Sequence, residues 1–187
     1  MKARDNPLAT HRILTIRYRP LDMTWTQLLD RLHDMNYRAA IVGPKGTGKT
    51  TLIEDLAVRL EACGFAPRLI RLSEDHRAIE PSDLRHLAWR DVVLLDGAEQ
   101  LSELRWLRFR WKTRRAGGVI VTTHRGGRLP ALLHTTTTPQ LLNTIAGELL
   151  TDRVPQRERI DELFVRHHGN LRDALRELYD DFAAVPG

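Results

Sequence analysis

The chain has a single cysteine, Cys63, among 187 residues, which excludes an intramolecular disulfide and leaves little basis for a cysteine-ligated zinc site. No apolar run approaches the roughly 20 residues needed to cross a bilayer, so no membrane span is expected. The opening stretch, MKARDNPLATHRILTIRYRP, is basic but lacks the apolar segment and small-residue cleavage site of a secretory leader. No repeat of solenoid length recurs. Lysine is scarce, since 25 of the 29 basic residues are arginine. These absences point to a cytoplasmic protein built around one ordinary core.

What is present fits that frame. The 42% hydrophobic and 28% charged fractions are those of a globular chain. The length suffices for one α/β core and a small appendage but not for two catalytic domains. A net charge of +5 and a pI near 9.9 suit a polyanionic partner, and a nucleoside triphosphate is itself such a polyanion.

Apolar periodicity and turn residues divide the chain into a run of strands and helices. Residues 1–22, broken by Pro7 and Pro20, read as a surface arm, followed by an amphipathic helix over 24–35 capped by Thr24. Strands are expected at 38–42, 67–72, 91–96 and 119–123, with a short fifth at 131–134. Helices are expected at 49–63, where Leu52, Ile53, Leu56, Val58 and Leu60 would pack on a sheet, at 82–89, and at 98–115. The four threonines at 135–138 suit a strand end or an extended connection. After Pro139 only helices follow, at 139–150, 156–168 and 170–183. Alternating strands and helices imply a parallel sheet covered on both faces, so the fold class is α/β with a small all-helical lid, and the segment GPKGTGKT at 43–50, between the first strand and the helix after it, makes the core a P-loop one. The expected domains are an arm and helix at 1–37, a nucleotide-binding core at 38–138 and the lid at 139–187.

The segment GPKGTGKT, residues 43–50, satisfies G-x-x-x-x-G-K-[ST] in full between an expected strand and an expected helix. The binding loop comprises Gly43, Pro44, Lys45, Gly46, Thr47, Gly48, Lys49, Thr50 and Thr51. Its glycines let backbone N–H groups turn toward phosphates, and the helix start adds positive potential. Lys49 would meet the β- and γ-phosphates of ATP or ADP, and Thr50 would offer a hydroxyl to Mg2+. The run VVLLD at 92–96 ends a buried strand in Asp96, placed to hold the magnesium shell. Hydrolysis also needs a group that orients water, and Glu99 and Glu74 both stand near strand ends.

These motifs, in this order, resemble a reduced AAA+ ATPase, most similar in pattern to the small-subunit modules of replication clamp loaders over residues 17–179. RYRP at 17–20 is similar to the segment that passes near adenine in that family, and GPKGTGKTTL is similar to its phosphate loop. VIVTTH at 119–124 resembles the strand that ends in the first γ-phosphate sensor, a role that would fall on His124 with Thr123 beside it. HGNLRDALREL at 168–178 resembles the lid helix whose arginine is the second sensor, here Arg172. Three features depart from the family: Gly97 stands where an acidic residue follows the strand aspartate, threonines 135 and 136 stand where the trans-acting arginine finger would fall, and no oligomerising collar is evident.

In the helix expected after Asp96, Arg105, Arg108, Lys112 and Arg115 form a basic stripe, Leu101, Leu104 and Trp111 would face the sheet, and Trp106 and Phe109 would lie on another face. Two readings of this helix stand: a solvated basic face with the aromatics turned into the core, or exposed aromatics beside arginines that would stack bases or dock a protein. Three functions therefore stand together. One is an ATP-hydrolysing AAA+-type motor or switch with a protein or nucleic-acid client, able to oligomerise but lacking a collar for a stable ring. The others are a P-loop kinase using Arg125 and Arg128 as a phosphate clamp, and a nucleotide-dependent adaptor that does not hydrolyse.

Overall fold

The structure, a computed structural model, describes residues 17–150 and 155–184, with side chains in the last helix described through residue 181. The arm expected before residue 17 lies outside the described residues. Five strands form one sheet: β1 (Arg38–Val42), β2 (Ala66–Arg71), β3 (Asp91–Asp96), β4 (Gly118–Thr123) and β5 (Ala131–His134). All pairings are parallel, in the order β2-β3-β4-β1-β5. The three central strands are buried along almost their whole length, as strands covered on both faces must be. This is why they read as continuous apolar runs rather than alternating ones.

The chain divides into two compact units, Tyr18–Gly43 with Lys49–Thr135, and Pro44–Gly48 with Thr136–Gly187. In the first unit, helices α1 (Trp25–Asp34) and α2 (Lys49–Ala62) cover one face of the sheet. Leu28, Leu32, Leu52 and Leu56 meet Ile41, Leu94 and Ile120 there. Helix α3 (Glu103–Lys112) covers the other face, where Trp106 and Phe109 meet Val93, Leu95 and Val121. A capping box opens α1: the Gln27 N–H donates to Thr24 Oγ1 at 3.2 Å and the Thr24 N–H to Gln27 Oε1 at 2.8 Å. The segment before α1 is pinned to α2 by the Tyr18 N–H, which donates to Asp55 Oδ2 at 2.6 Å.

The second unit holds α4 (Pro139–Leu149), α5 (Arg157–Arg166) and α6 (Leu171–Ala184) around Leu142, Ala146, Ile160, Leu163 and Leu175. Thr138, last of the four threonines, caps α4 by accepting from the Leu141 N–H. An ion-pair network ties α5 to α6. Arg159 reaches Glu177 at 3.1 Å and Asp181 at 2.6 Å, and Arg166 also pairs with Glu177. The hydrogen bond from His167, helped by Arg166, holds the Glu177 carboxyl below its ordinary range. Among the described residues no helix is long and apolar enough to cross a membrane.

Three expectations are corrected. Residues 82–89 do not form a helix; only a 3-10 turn, Pro81–Leu84, appears. The remainder is held as an irregular connection because Asp91 accepts from the Ala88 N–H at 2.6 Å and Arg68 donates to the Arg85 carbonyl at 2.8 Å. Val58 points outward, 55% exposed. The helix expected over 98–115 is divided into a turn at Ala98–Gln100, α3, and a second turn at Thr113–Arg115.

That division inverts the faces of α3. Leu101 is buried, but it precedes the helix with extended backbone, as does Ser102. Its phase therefore says nothing about the residues that follow. Trp106 and Phe109 enter the core at 4% and 2% exposure, while Leu104 and Trp111 face outward at 80% and 64%. Truncating Phe109 to Ala should cost about 3–5 kcal/mol in urea denaturation followed by circular dichroism. Trp111→Ala should stay within roughly 1 kcal/mol of the parent chain. Equal losses would contradict this orientation.

Candidate nucleotide-binding site

In an open parallel sheet the strands' carboxyl ends are the edge at which ligands bind. β1 delivers Gly43 to that edge, β3 delivers Asp96, and β4 delivers Thr122, Thr123 and His124. The register follows from sheet pairing: Ile41 lies opposite Thr122 and Val42 opposite Thr123. The Leu95 to Val121 pairing places Thr122 one step on, beside Asp96.

The hydroxyl of Thr50 donates to Asp96 Oδ2 at 2.8 Å, and that of Thr122 donates to Asp96 Oδ1 at 2.5 Å. The Gly97 N–H then donates to Thr122 Oγ1 at 2.8 Å. One carboxylate thus joins the first turn of α2 to the ends of β3 and β4. Lys49 is only 8% exposed, and its Nζ donates to the Gly43 carbonyl at 2.7 Å. Thr51 follows in the same first turn of α2 and is half-buried.

Pro44–Gly48 groups with the C-terminal helices. Within that unit Thr47 Oγ1 donates to the Pro44 carbonyl at 2.9 Å, and the Leu171 N–H donates to the Gly46 carbonyl at 3.2 Å. Gly46 has φ +78°, and a Cβ there would fall 1.7 Å from Asn170 Oδ1. Glycine is therefore required at this position both by the left-handed backbone and by the neighbouring side chain. Lys45 is exposed, as is Arg172, which follows Leu171 at the start of α6.

Glu99 and His124 are brought together, with Nε2 of the imidazole 3.2 Å from Glu99 Oε1. The second oxygen, Oε2, is buried and accepts no hydrogen bond from the described residues. Glu74 sits on an exposed loop. The arginines of THRGGR separate: Arg125 is exposed, whereas Arg128 donates to the Leu101 carbonyl at 2.6 Å and stacks its guanidinium 5.0 Å above Trp106. Arg128 is committed to anchoring the β4–β5 connection on the α3 side of the sheet.

Several residues of this arrangement are not evident from motifs. Thr122 binds Asp96 directly, yet it sits one place before the residues the family pattern singles out. Asp55, which holds the Tyr18 backbone, and Asn170, which packs on Gly46, carry no motif either. Strand register is the signal that would have located Thr122; the other two are tertiary contacts. Burial, and secondarily the charge of Asp22, pushes the Tyr18 phenol up to about 12, so this side chain remains neutral beside the helix.

The donor set matches the chemistry of a triphosphate with magnesium. A hydroxyl and one carboxylate are hard oxygen ligands of the kind Mg2+ uses while keeping most of its water. Among the described residues no group of three or more His, Cys, Asp or Glu side chains gathers as a metal site of another kind.

No family model matches the chain, and no curated protein matches it in sequence. Solved structures match in fold. Three variants of Thermotoga maritima RuvB superpose with TM-scores of 0.55, 0.56 and 0.57 at 18%, 19% and 17% identity. The matches cover 88%, 86% and 88% of this chain but only 64%, 63% and 64% of theirs. The chain therefore spans just under two thirds of the length of these structures. The shared fold is a five-stranded parallel sheet with flanking helices and a helical C-terminal part. The narrower likeness to clamp-loader modules rests on the short motifs alone.

Gly97 accounts for the main departure from the family pattern. Its φ is +85°, and a Cβ there would lie 2.6 Å from the Leu72 carbonyl oxygen. A side chain at this position meets backbone, which cannot move aside as a flexible side chain would. Gly97→Glu, which places an acidic residue where the resembling motif has one, should therefore destabilise the fold by at least about 1–3 kcal/mol from backbone strain alone. It should not raise phosphate release. Thermal denaturation and a phosphate assay on the same sample would check both, and a stable, faster variant would refute the steric account.

Proposed function

We propose that the chain is an ATP-binding, ATP-hydrolysing AAA+-type switch that acts on a macromolecular partner. The observation that carries this reading is the Thr50–Asp96–Thr122 cluster at the carboxyl ends of the sheet, directly after a complete phosphate-loop sequence.

In this reading the backbone N–H groups of residues 43–50 receive the phosphates at the start of α2. Lys49 exchanges the Gly43 carbonyl for the β- and γ-phosphate oxygens, so its charge is used on the ligand rather than on its own loop. Thr50 and Asp96 would hold Mg2+. The chemistry the ion would supply there is neutralisation of charge on the phosphate oxygens. Thr122 keeps the Asp96 carboxylate oriented. Glu99 orients the attacking water with its unpartnered buried oxygen, while His124 fixes the other oxygen. The terminal phosphoryl group passes from the ADP oxygen to that water as the bridging P–O bond breaks, giving ADP, inorganic phosphate and a proton released to solvent.

Gly97 supports slow or partner-stimulated turnover, because a carboxylate from Glu99 enters from two residues further along the chain. A transfer reaction to a small acceptor is less well supported, since Arg128 is engaged elsewhere and cannot join Arg125 as a phosphate clamp. The role of Arg172 as a γ-phosphate sensor comes from the family resemblance and from its position at the start of α6.

The reading is tested by binding and turnover together. Lys49→Ala should lose most of its affinity for magnesium-ATP in isothermal titration while its circular dichroism stays that of the parent chain. Glu99→Gln should retain binding and lose at least tenfold in phosphate release. Unchanged affinity in a folded Lys49 variant would reject the nucleotide assignment, and full turnover by Glu99→Gln would remove Glu99 from the mechanism.

If Arg172 senses the γ-phosphate, residues 155–184 should be more protected from hydrogen exchange with a non-hydrolysable triphosphate than with ADP. Arg172→Ala should abolish that difference, while binding weakens by about 1–3 kcal/mol, as expected for one charge-assisted contact. Identical protection in all four samples would leave Arg172 as a surface arginine.

A further inference from the structure

We propose that the outer face of α3, with the arginine-lined cavity at its C-terminal end, docks an acidic amphipathic helix of a partner protein. The inference is independent of the nucleotide reading. It begins with the two apolar faces of α3. One face is spent on the core through Trp106, Phe109 and Thr113. The opposite face presents Leu104, Leu107 and Trp111 at 80%, 56% and 64% exposure. A helix on a globular surface has one apolar stripe and a polar outer face. Three large apolar residues on the outer face of a ten-residue helix mark an interaction surface.

The spacing of these residues, three and then four positions, forms one continuous row and is the spacing with which helices pack on one another. Two of the three are leucines, which offer no ring for a nucleic-acid base to stack on. That favours a protein partner over single-stranded nucleic acid, where successive aromatics would be needed.

Charge specifies the partner further. A cavity of about 310 Å³ is lined by three arginines, Arg38, Arg110 and Arg114, together with Trp106, Thr113, Val119 and Leu129, and by no carboxylate among the described residues. Arg38 is held in place because its Nη2 donates to the carbonyls of Thr113 at 3.3 Å and Ala116 at 3.0 Å. Arg114 lies 4.4 Å over the Trp111 ring and so joins the cavity to the apolar row. Three arginines around one cavity concentrate positive charge there, and an inserted Asp or Glu side chain would accept their N–H groups. Arg105, Arg108 and Lys112 run along the other edge of the row. The complementary partner is a helix with apolar residues at three- and four-residue spacing and acidic residues on both sides.

The placement leaves this surface available while nucleotide is handled. Arg38 begins β1 and pairs with Val119 near the start of β4, so the cavity lies at the amino ends of the strands. Asp96, Thr122 and His124 lie at their carboxyl ends.

The test uses the full chain and a fluorescein-labelled synthetic helix with leucines at positions i, i+3 and i+7 flanked by glutamates. A glutamine version of the peptide, a 20-nucleotide oligothymidine and anionic phospholipid vesicles serve as competing ligands. The glutamate peptide should bind saturably in fluorescence anisotropy, and the glutamine version should bind at least tenfold more weakly. Leu107→Glu and Arg114→Glu should each weaken binding at least tenfold with unchanged melting curves. Val58→Glu, a charge placed on an exposed apolar residue of α2, should bind as the parent chain does. Lys49→Ala should also bind as the parent, which separates this surface from the nucleotide assignment. The proposal is overturned by no saturable peptide binding, or by equal binding in the Leu107 and Arg114 variants. It is equally overturned if oligothymidine or vesicles, and not the peptide, show the Arg114 dependence, or if the chain forms a dimer that Leu107→Glu abolishes.

Discussion

The Asp96 carboxylate is the point on which the candidate site depends. A lone carboxylate at the end of a buried strand is costly to desolvate, and here both of its oxygens are satisfied by hydroxyls, Thr50 from α2 and Thr122 from β4. The interaction works in two directions. It fixes the helix that follows the phosphate loop relative to the sheet, and it keeps a hard oxygen ligand oriented where magnesium would need it. The Gly97 N–H extends the chain by one link, so the turn leaving β3 is tied to the same group.

That turn also explains how the site differs from the motif pattern it resembles. The left-handed backbone at Gly97 and the Leu72 carbonyl beside it leave no space for a side chain. An acidic residue directly after the strand aspartate is thus excluded by backbone geometry, whatever chemistry it would serve. The nearest alternative carboxylate is Glu99, held against His124 and carrying one buried oxygen with no partner among the described residues. Absence of the family residue and presence of an under-satisfied carboxylate two positions on are parts of one local arrangement.

Helix α3 shows how the two sides of the sheet are put to different uses. Its inner face completes the core below β3 and β4, with Arg128 clamped over Trp106. The outer face is apolar again, and its C-terminal end meets a cluster of arginines with no acidic partner in the cavity lining among the described residues. An arginine-rich composition, which by itself specifies no ligand, becomes meaningful once three guanidinium groups are seen around one cavity.

The sequence by itself determined the elements whose signals are local. The complete phosphate loop, β1 and β3 with their bounds, the Thr24 cap and the change to helices after Pro139 follow from spacing, capping chemistry and runs of apolar residues, all of which act within a few positions. Tertiary structure decided what depends on residues distant in the chain. Residues 82–89 stayed irregular because Arg68 and Asp91, on neighbouring strands, satisfy that segment's backbone. The faces of α3 were inverted because an extended break at residues 101 and 102 resets the helical phase, and periodicity cannot be carried across it. Thr122 became visible only through the parallel register of β3 and β4, since a hydrogen bond between strands leaves no mark on the spacing within either one.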